Sequence, residues 1–299
     1  ENDISKIMIA KISGRLWFTT ENHPGINCLS VELDPYFGKL DTVFHHFEHD
    51  PIDSKTIADN NITDFIEDRA GHIWIGTGQN GISFNSNVKP KFVSFKYDQE
   101  NEWGLKSNKV YSIAAQSDGM IWVSTGFGLE MLSQDGIREY DYDKSFLKVN
   151  YIIDLEVVNN QILWVATDLG VLKIDTFSDE IIRFSNENNI PDSRKIPDNL
   201  AHDILIIDNQ VWVATGSGVV FIDTTTNAVS NINSNIIARV IKKDRDGNVW
   251  LGTEMDGLYK IKSAQINDFL NRKSLDISHY RFDPKFRNGI SSSQITCIA

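Results

Sequence analysis

Cysteine is nearly absent from this chain of 299 residues: there are two, Cys28 and Cys297. Two cannot supply a CxxC metal knuckle or a disulfide framework. They pair with each other if the chain's ends meet, or they sit in strands as small buried hydrophobes. Basic residues are also scarce, 29 Lys and Arg against 41 Asp and Glu, for a formal charge of −12. That deficit argues against a nucleic-acid groove, which needs a basic field, and against adsorption to anionic lipid. No run of eighteen apolar residues is present, so no membrane-spanning helix is expected, and Glu1-Asn2-Asp3 does not open a signal peptide. Any membrane attachment would lie in segments outside this chain. With 41% hydrophobic and 23% charged residues the composition is that of a globular protein.

What is abundant is a repeat. Six segments align on one tryptophan each: Gly14-Arg-Leu-Trp17-Phe-Thr19, Gly71-His-Ile-Trp74-Ile-Gly-Thr77, Gly119-Met-Ile-Trp122-Val-Ser-Thr125, Gln161-Ile-Leu-Trp164-Val-Ala-Thr167, Gln210-Val-Trp212-Val-Ala-Thr215 and Gly247-Asn-Val-Trp250-Leu-Gly-Thr253. The tryptophans are 57, 48, 42, 48 and 38 residues apart, so loops vary while one structural unit recurs. Each unit reads as four strands. A short apolar strand leads into a tight turn, seen in Asp68-Arg-Ala-Gly71 and Asp246-Gly247, where Asp accepts local N–H groups and Gly takes positive φ. The Trp strand follows, then a second turn ending at Gly81, Gly128, Gly170, Gly218 or Gly257, a Gly-hydrophobic third strand, and a more polar fourth.

The inner strands do not alternate cleanly, so both of their faces are buried. Antiparallel four-stranded sheets covered on both sides at a period of about 40–50 residues are propeller blades. The fold expected is all-β: a β-propeller of four-stranded antiparallel blades, six full repeats plus the first strand of a seventh at Ser291–Ile298. Because neither end carries spare outer strands, residues 1–299 read as one propeller cut from a longer array.

The stretch Phe47-Glu-His49-Asp50-Pro51, then Asn61-Ile62-Thr-Asp-Phe65-Ile-Glu67-Asp68-Arg-Ala-Gly71-His-Ile-Trp74-Ile-Gly76-Thr77, resembles the two-component regulator propeller repeat. Tyr280-Arg-Phe282-Asp283-Pro284 looks like the start of another copy. Units four and five depart from the pattern, with Asn160-Gln161 and Asn209-Gln210 where the turn Gly stands elsewhere. The resemblance implies the extracytoplasmic sensor region of a bacterial hybrid histidine kinase. It implies a periplasmic setting, an oligosaccharide or other small-molecule ligand, and a homodimer formed through the full-length receptor. No catalytic residue, metal or cofactor is implied.

Other motifs point less far. Six tryptophans at one strand position are wedges between blades. Trp103, in a loop, either caps the core or offers its ring to a partner. Gly76-Thr-Gly78, Gly126-Phe-Gly128 and Gly216-Ser-Gly218 lie in hairpins, not before helices, and do not cradle phosphate. His45-His46-Phe-Glu48-His49 puts only two of its histidines on one strand face, so no metal site is expected. Ser117-Asp118 with Trp122 resembles a sialidase turn, where it is structural. Gly14 to Thr19 shares an element with streptogramin lyases. A lyase would need a His base with a bound metal, and His23 and His202 are the conceivable bases.

If strand one is innermost, the lead-in to that strand and the second turn open on the same end of each blade. The candidate ligand-binding residues there are Asn108, Tyr111, Tyr151, His202 and Arg239 from the lead-ins. His23, Gln79, Asn80, Phe127, Asp168, Glu254 and Asp256 come from the second turns. Amides, phenols and a guanidinium suit sugar hydroxyls. Asn also caps turns, so some of these amides have structural work instead.

Overall fold

The computed structural model describes residues 4–21, 23–33, 40–53, 55–85, 92–97, 104–133, 136–140, 147, 149, 151–232, 236–266, 277–283, 290 and 292–298. The chain forms two compact units, Glu1–Leu147 and Lys148–Ala299. Each holds three sheets of four antiparallel strands paired in chain order, and the fold is the six-bladed propeller class expected.

In the first unit, blade 1 is Ile4–Ile9, Leu16–Thr20, Ile26–Leu33 and Leu40–Phe47; blade 2 is Ile62–Glu67, Ile73–Thr77, Ile82–Asn85 and Phe92–Phe95; blade 3 is Val110–Ala115, Ile121–Thr125, Leu129–Ser133 and Gly136–Tyr140. In the second unit, blade 4 is Ile152–Val158, Ile162–Thr167, Gly170–Asp175 and Ile181–Phe184; blade 5 is Ala201–Ile207, Gln210–Thr215, Gly218–Asp223 and Val229–Ile232; blade 6 is Ala238–Lys243, Val249–Thr253, Leu258–Ile261 and Ser278–Tyr280.

The Trp strands carry the core. Ile121–Thr125 is buried at every residue, and Ile162–Thr167 and Gln210–Thr215 at all but the first. Trp17, Trp122, Trp164 and Trp212 are buried in the packing between sheets, each ring worth about 2–3 kcal/mol of burial. Trp74 and Trp250 are only partly buried, although Trp74 still packs against the core shared by blades 2 and 3. Their indole N–H groups donate to the turn carboxylates Asp68 and Asp244, both at 2.9 Å. Trp74 also stacks on Phe95, and Trp250 on Tyr280. Blade 1 has Ala10 where those turns have Asp, its N–H likewise closing the turn on Arg15, and the buried Trp17 Nε1 has no partner among the described residues.

In blades 2, 4, 5 and 6 the threonine closing the Trp motif is a turn clamp. Thr77, Thr167, Thr215 and Thr253 are buried and donate to the carbonyls of Gly81, Gly170, Gly218 and Gly257 at 2.7–2.8 Å. Blade 3 substitutes a side chain: Thr125 donates to the fully buried Glu130 at 2.6 Å. Burial pushes the Glu130 carboxyl above its ordinary range. In blade 4 the missing turn Gly is replaced by Asn159 and Asn160, at φ 52° and 54°, a left-handed pair that closes a tight hairpin without glycine.

One expectation changes. Residues 292–298 are not a strand of a seventh sheet. They are nevertheless bonded to blade 6, with the Gly257 N–H donating to Ser293 O and the Ile295 N–H to Thr253 O, both at 2.8 Å. Without a Trp strand to pair with, such a segment has no ladder of its own. Cys28 is buried and Cys297 partly buried, and no disulfide joins them, in line with the second of the two readings of the pair. Trp103 and the lead-in residues Asn150 and Asn235 lie outside the described residues.

Candidate functional site

In every blade the first strand begins with a register shift and leaves its lead-in residues beside the second turn. The structure therefore gathers the sequence candidates by blade, within each unit.

Part of the set is structural. Asn108 Oδ1 accepts the Tyr97 N–H at 2.5 Å, while its carbonyl accepts the Gly81 N–H at 2.8 Å. The same lock recurs where Asn60 accepts from His49, Asn199 from Asn186, and Ser293 from Phe282. Each ties the end of one blade to the start of the next segment. Asn80 is also held: its N–H reaches Thr77 Oγ1 at 3.1 Å and its Nδ2 reaches Asp59 Oδ2 at 3.0 Å.

Two pockets open at the loop end of the first unit. One, of 620 Å³, lies where blades 1 and 2 meet and is lined by Thr20, Glu21, His23, Asp59, Asn60 and Asn61 among others. The other, of 460 Å³, is lined by Tyr97, Lys106, Ser107, Asn108 and Phe127. Phe127 is 50% exposed. Tyr111 is half-buried under the Lys109 ammonium, 4.8 Å from the ring centroid, and Gln79 is exposed.

In the second unit the loop end is charged. Arg239 grips Glu254 through Nη2 at 2.8 Å and Nε at 3.2 Å. His202 lies in the field of this pair and of Asp198. Burial, then the Arg239 charge, hold its imidazole below the usual histidine value, outweighing Asp198 and Glu254. The ring is thus neutral at pH 7. Asp198 also accepts the Ser217 hydroxyl at 3.1 Å. Tyr151 is 50% exposed, and its N–H donates to Asp168 at 3.1 Å. Asp256 is not brought to the Arg239 group: its carboxylate takes the Tyr259 hydroxyl and the Arg281 guanidinium of the outer strands of blade 6. His279 stacks on Tyr259 there at 3.8 Å.

Sequence reasoning missed Glu21, Asp59 and Asp198. Asp59 and Asp198 stand three residues before a first strand, the one available signal, and an acidic residue there reads equally as a turn cap. The three clustered histidines go separate ways: His46 to Asn27 and Glu48, His49, just past the strand, to the Ile57 carbonyl, and His45 toward Ser30. No three His, Cys, Asp or Glu side chains converge for a metal among the described residues.

Six Trp-centred, four-stranded sheets with lead-ins and second turns at one end define a β-propeller repeat protein. Residues 56–79, 104–127 and 231–255 match the two component regulator propeller repeat, so blades 2, 3 and 6 carry repeats of that family. The extracellular domain of the hybrid two component system BT3049 from B. thetaiotaomicron superposes with a TM-score of 0.75 at 19% identity, over 99% of this chain and 37% of that one. PorZ, a surface component of the type-IX secretion system of Porphyromonas gingivalis, superposes at 0.66 and 15% identity, over 100% and 44%. Virginiamycin B lyase from Staphylococcus aureus follows at 0.62 and 17%, over 95% and 85%. At these identities the likeness is one of fold. The chain spans little more than a third of the two-component extracellular domain. No curated protein sequence matches it.

Proposed function

We propose that this chain is a non-catalytic, extracytoplasmic sensor propeller of a bacterial two-component histidine kinase, working in the periplasm and binding a small molecule, an oligosaccharide above all, at its loop ends. The observation that carries the reading is the match of three blades to the two component regulator propeller repeat. The polar and aromatic loop-end residues, Phe127, Tyr111, Tyr151 and the Arg239–Glu254 pair among them, suit a hydroxylated ligand. Rigid blades favour signalling by a ligand-dependent shift between arrangements of whole domains in a homodimeric receptor. Isothermal titration against a panel of oligosaccharides tests it: saturable binding without turnover is the expected result. Absence of binding across the panel overturns the ligand class.

The competing reading is a propeller lyase, favoured by the likeness to virginiamycin B lyase and by a neutral His202 beside Arg239. Product formation lost in His202→Ala or His23→Ala would replace the sensor reading.

A further inference from the structure

The two loop-end pockets of the first unit occupy neighbouring blade junctions and are oppositely charged. Among its described lining residues the smaller has Lys106 and no carboxylate. Among its described lining residues the larger has Glu21 and Asp59, no Lys or Arg, and His23 as the single basic side chain. One of its two carboxylates is fixed. The Asn61 N–H and Asn80 Nδ2 both donate to Asp59 at 3.0 Å, which orients that carboxylate. Asn60 spends its Oδ1 on the His49 N–H, so its amide nitrogen is the group left to donate. Glu21 and the Asn61 carboxamide have no side-chain partner among the described residues, although both line the cavity.

We infer that the pocket between blades 1 and 2 is a binding site for a small polyhydroxylated primary amine, an amino sugar or amino alcohol. This rests on the reading that the loop end takes a small molecule. The amide donors and the Thr20 hydroxyl match ligand hydroxyls, which both give and accept. The ammonium answers the two carboxylates, each of which accepts only. An anionic ligand such as a uronic acid or a phosphate would meet like charge, with no Lys or Arg among the described lining residues to offset it. A cavity of 620 Å³ is within the range of small-ligand sites.

The test is calorimetric titration at pH 7 and low ionic strength with glucosamine, glucose and glucuronate, on the wild-type chain, Glu21→Gln and Thr20→Trp. Glucosamine should bind about fivefold or more tighter than glucose, with glucuronate weakest. Glu21→Gln should bring the glucosamine-to-glucose ratio close to one, and Thr20→Trp should abolish binding of both. Melting curves establish that each variant is folded; Glu21 is exposed, so its variant keeps the test decisive if Thr20→Trp unfolds. Equal affinity for the three probes, no binding of any, or an unchanged ratio in Glu21→Gln overturns the assignment. A neutral oligosaccharide that binds wild type and Thr20→Trp equally would overturn this site and leave the sensor reading standing.

Discussion

The backbone N–H of Ile204 is shared by two carboxyl groups from adjacent blades, Asp154 Oδ2 and Asp203 Oδ1, each 3.0 Å away. Asp203 also accepts the Ile241 N–H of the following blade at 2.7 Å. The nearest cation is Lys242, its Nζ 3.9 Å from Asp203 Oδ1. In the first unit the matching place holds an ion pair, Lys6 with Asp64, and Asp64 likewise accepts the N–H of Ile113 in the next blade. A row of first-strand residues therefore stitches neighbouring blades, by opposite charges in one unit and by a carboxyl pair in the other.

Burial and then the neighbouring Asp203 charge raise the Asp154 carboxyl to about 8. The folded chain thus keeps a proton there that the unfolded chain releases near pH 4. Its contribution to stability is complete below about pH 4 and is lost as pH rises through about 8. Melting temperature should fall between about pH 5 and 8 in the wild type, and the slope should flatten in Asp154→Asn, which cannot ionise and still donates to Asp203. An equally steep slope in that variant would refute the shared proton.

The Asp244 turn has the opposite sign. Hydrogen bonds from the Asn248 and Trp250 side chains hold its carboxyl down at about 2. This contribution is present above pH 4 and lost as pH falls through about 2. Asp244→Ala should lower the melting temperature at pH 7, and the gap from wild type should narrow in acid. Trp250 fluorescence should change with it, because the indole loses its acceptor.

Asn108→Ala removes the acceptor of the Tyr97 N–H and should cost about 1–2 kcal/mol in chemical denaturation. Asn199→Ala, at the equivalent lock onto Asn186, should cost a similar amount. A neutral result at both would mean that these amides are free for a ligand.

Gly81 and Gly14 both hold positive φ, at 80° and 68°, but their surroundings differ. A Cβ at Gly81 would stand 2.0 Å from the Phe95 carbonyl oxygen, whereas one at Gly14 meets nothing within 4 Å. Gly81→Ala should cost about 3 kcal/mol or more and Gly14→Ala about 1 kcal/mol, measured side by side in urea.

Arg239→Ala removes the charge that, after burial, holds His202 down. An NMR titration should show the His202 ring moving up toward its ordinary 6.5, with Asp198 and Glu254 left beside it. A ring that does not move would assign the depression to burial alone.

The amino-acid order alone determined the repeat, the strand order within each blade and the turn chemistry, because those depend on residues a few positions apart. Trp-x-x-Thr needs only its own hairpin for the Thr77 hydroxyl to find the Gly81 carbonyl. Asp68 needs only its own turn to accept the Trp74 indole. Tertiary structure decided what depends on the neighbouring blade. Asn108 and Asn61 look alike as lead-in amides and both line cavities, yet the Asn108 side chain is tied to the Tyr97 N–H while the Asn61 carboxamide has no such partner among the described residues. Asp64 and Asp203 occupy the same strand position, but the neighbour across the junction is Lys6 in one case and Asp154 in the other. Which partner a side chain meets there is set by packing between blades whose residues lie about fifty positions apart, and no local pattern encodes that distance.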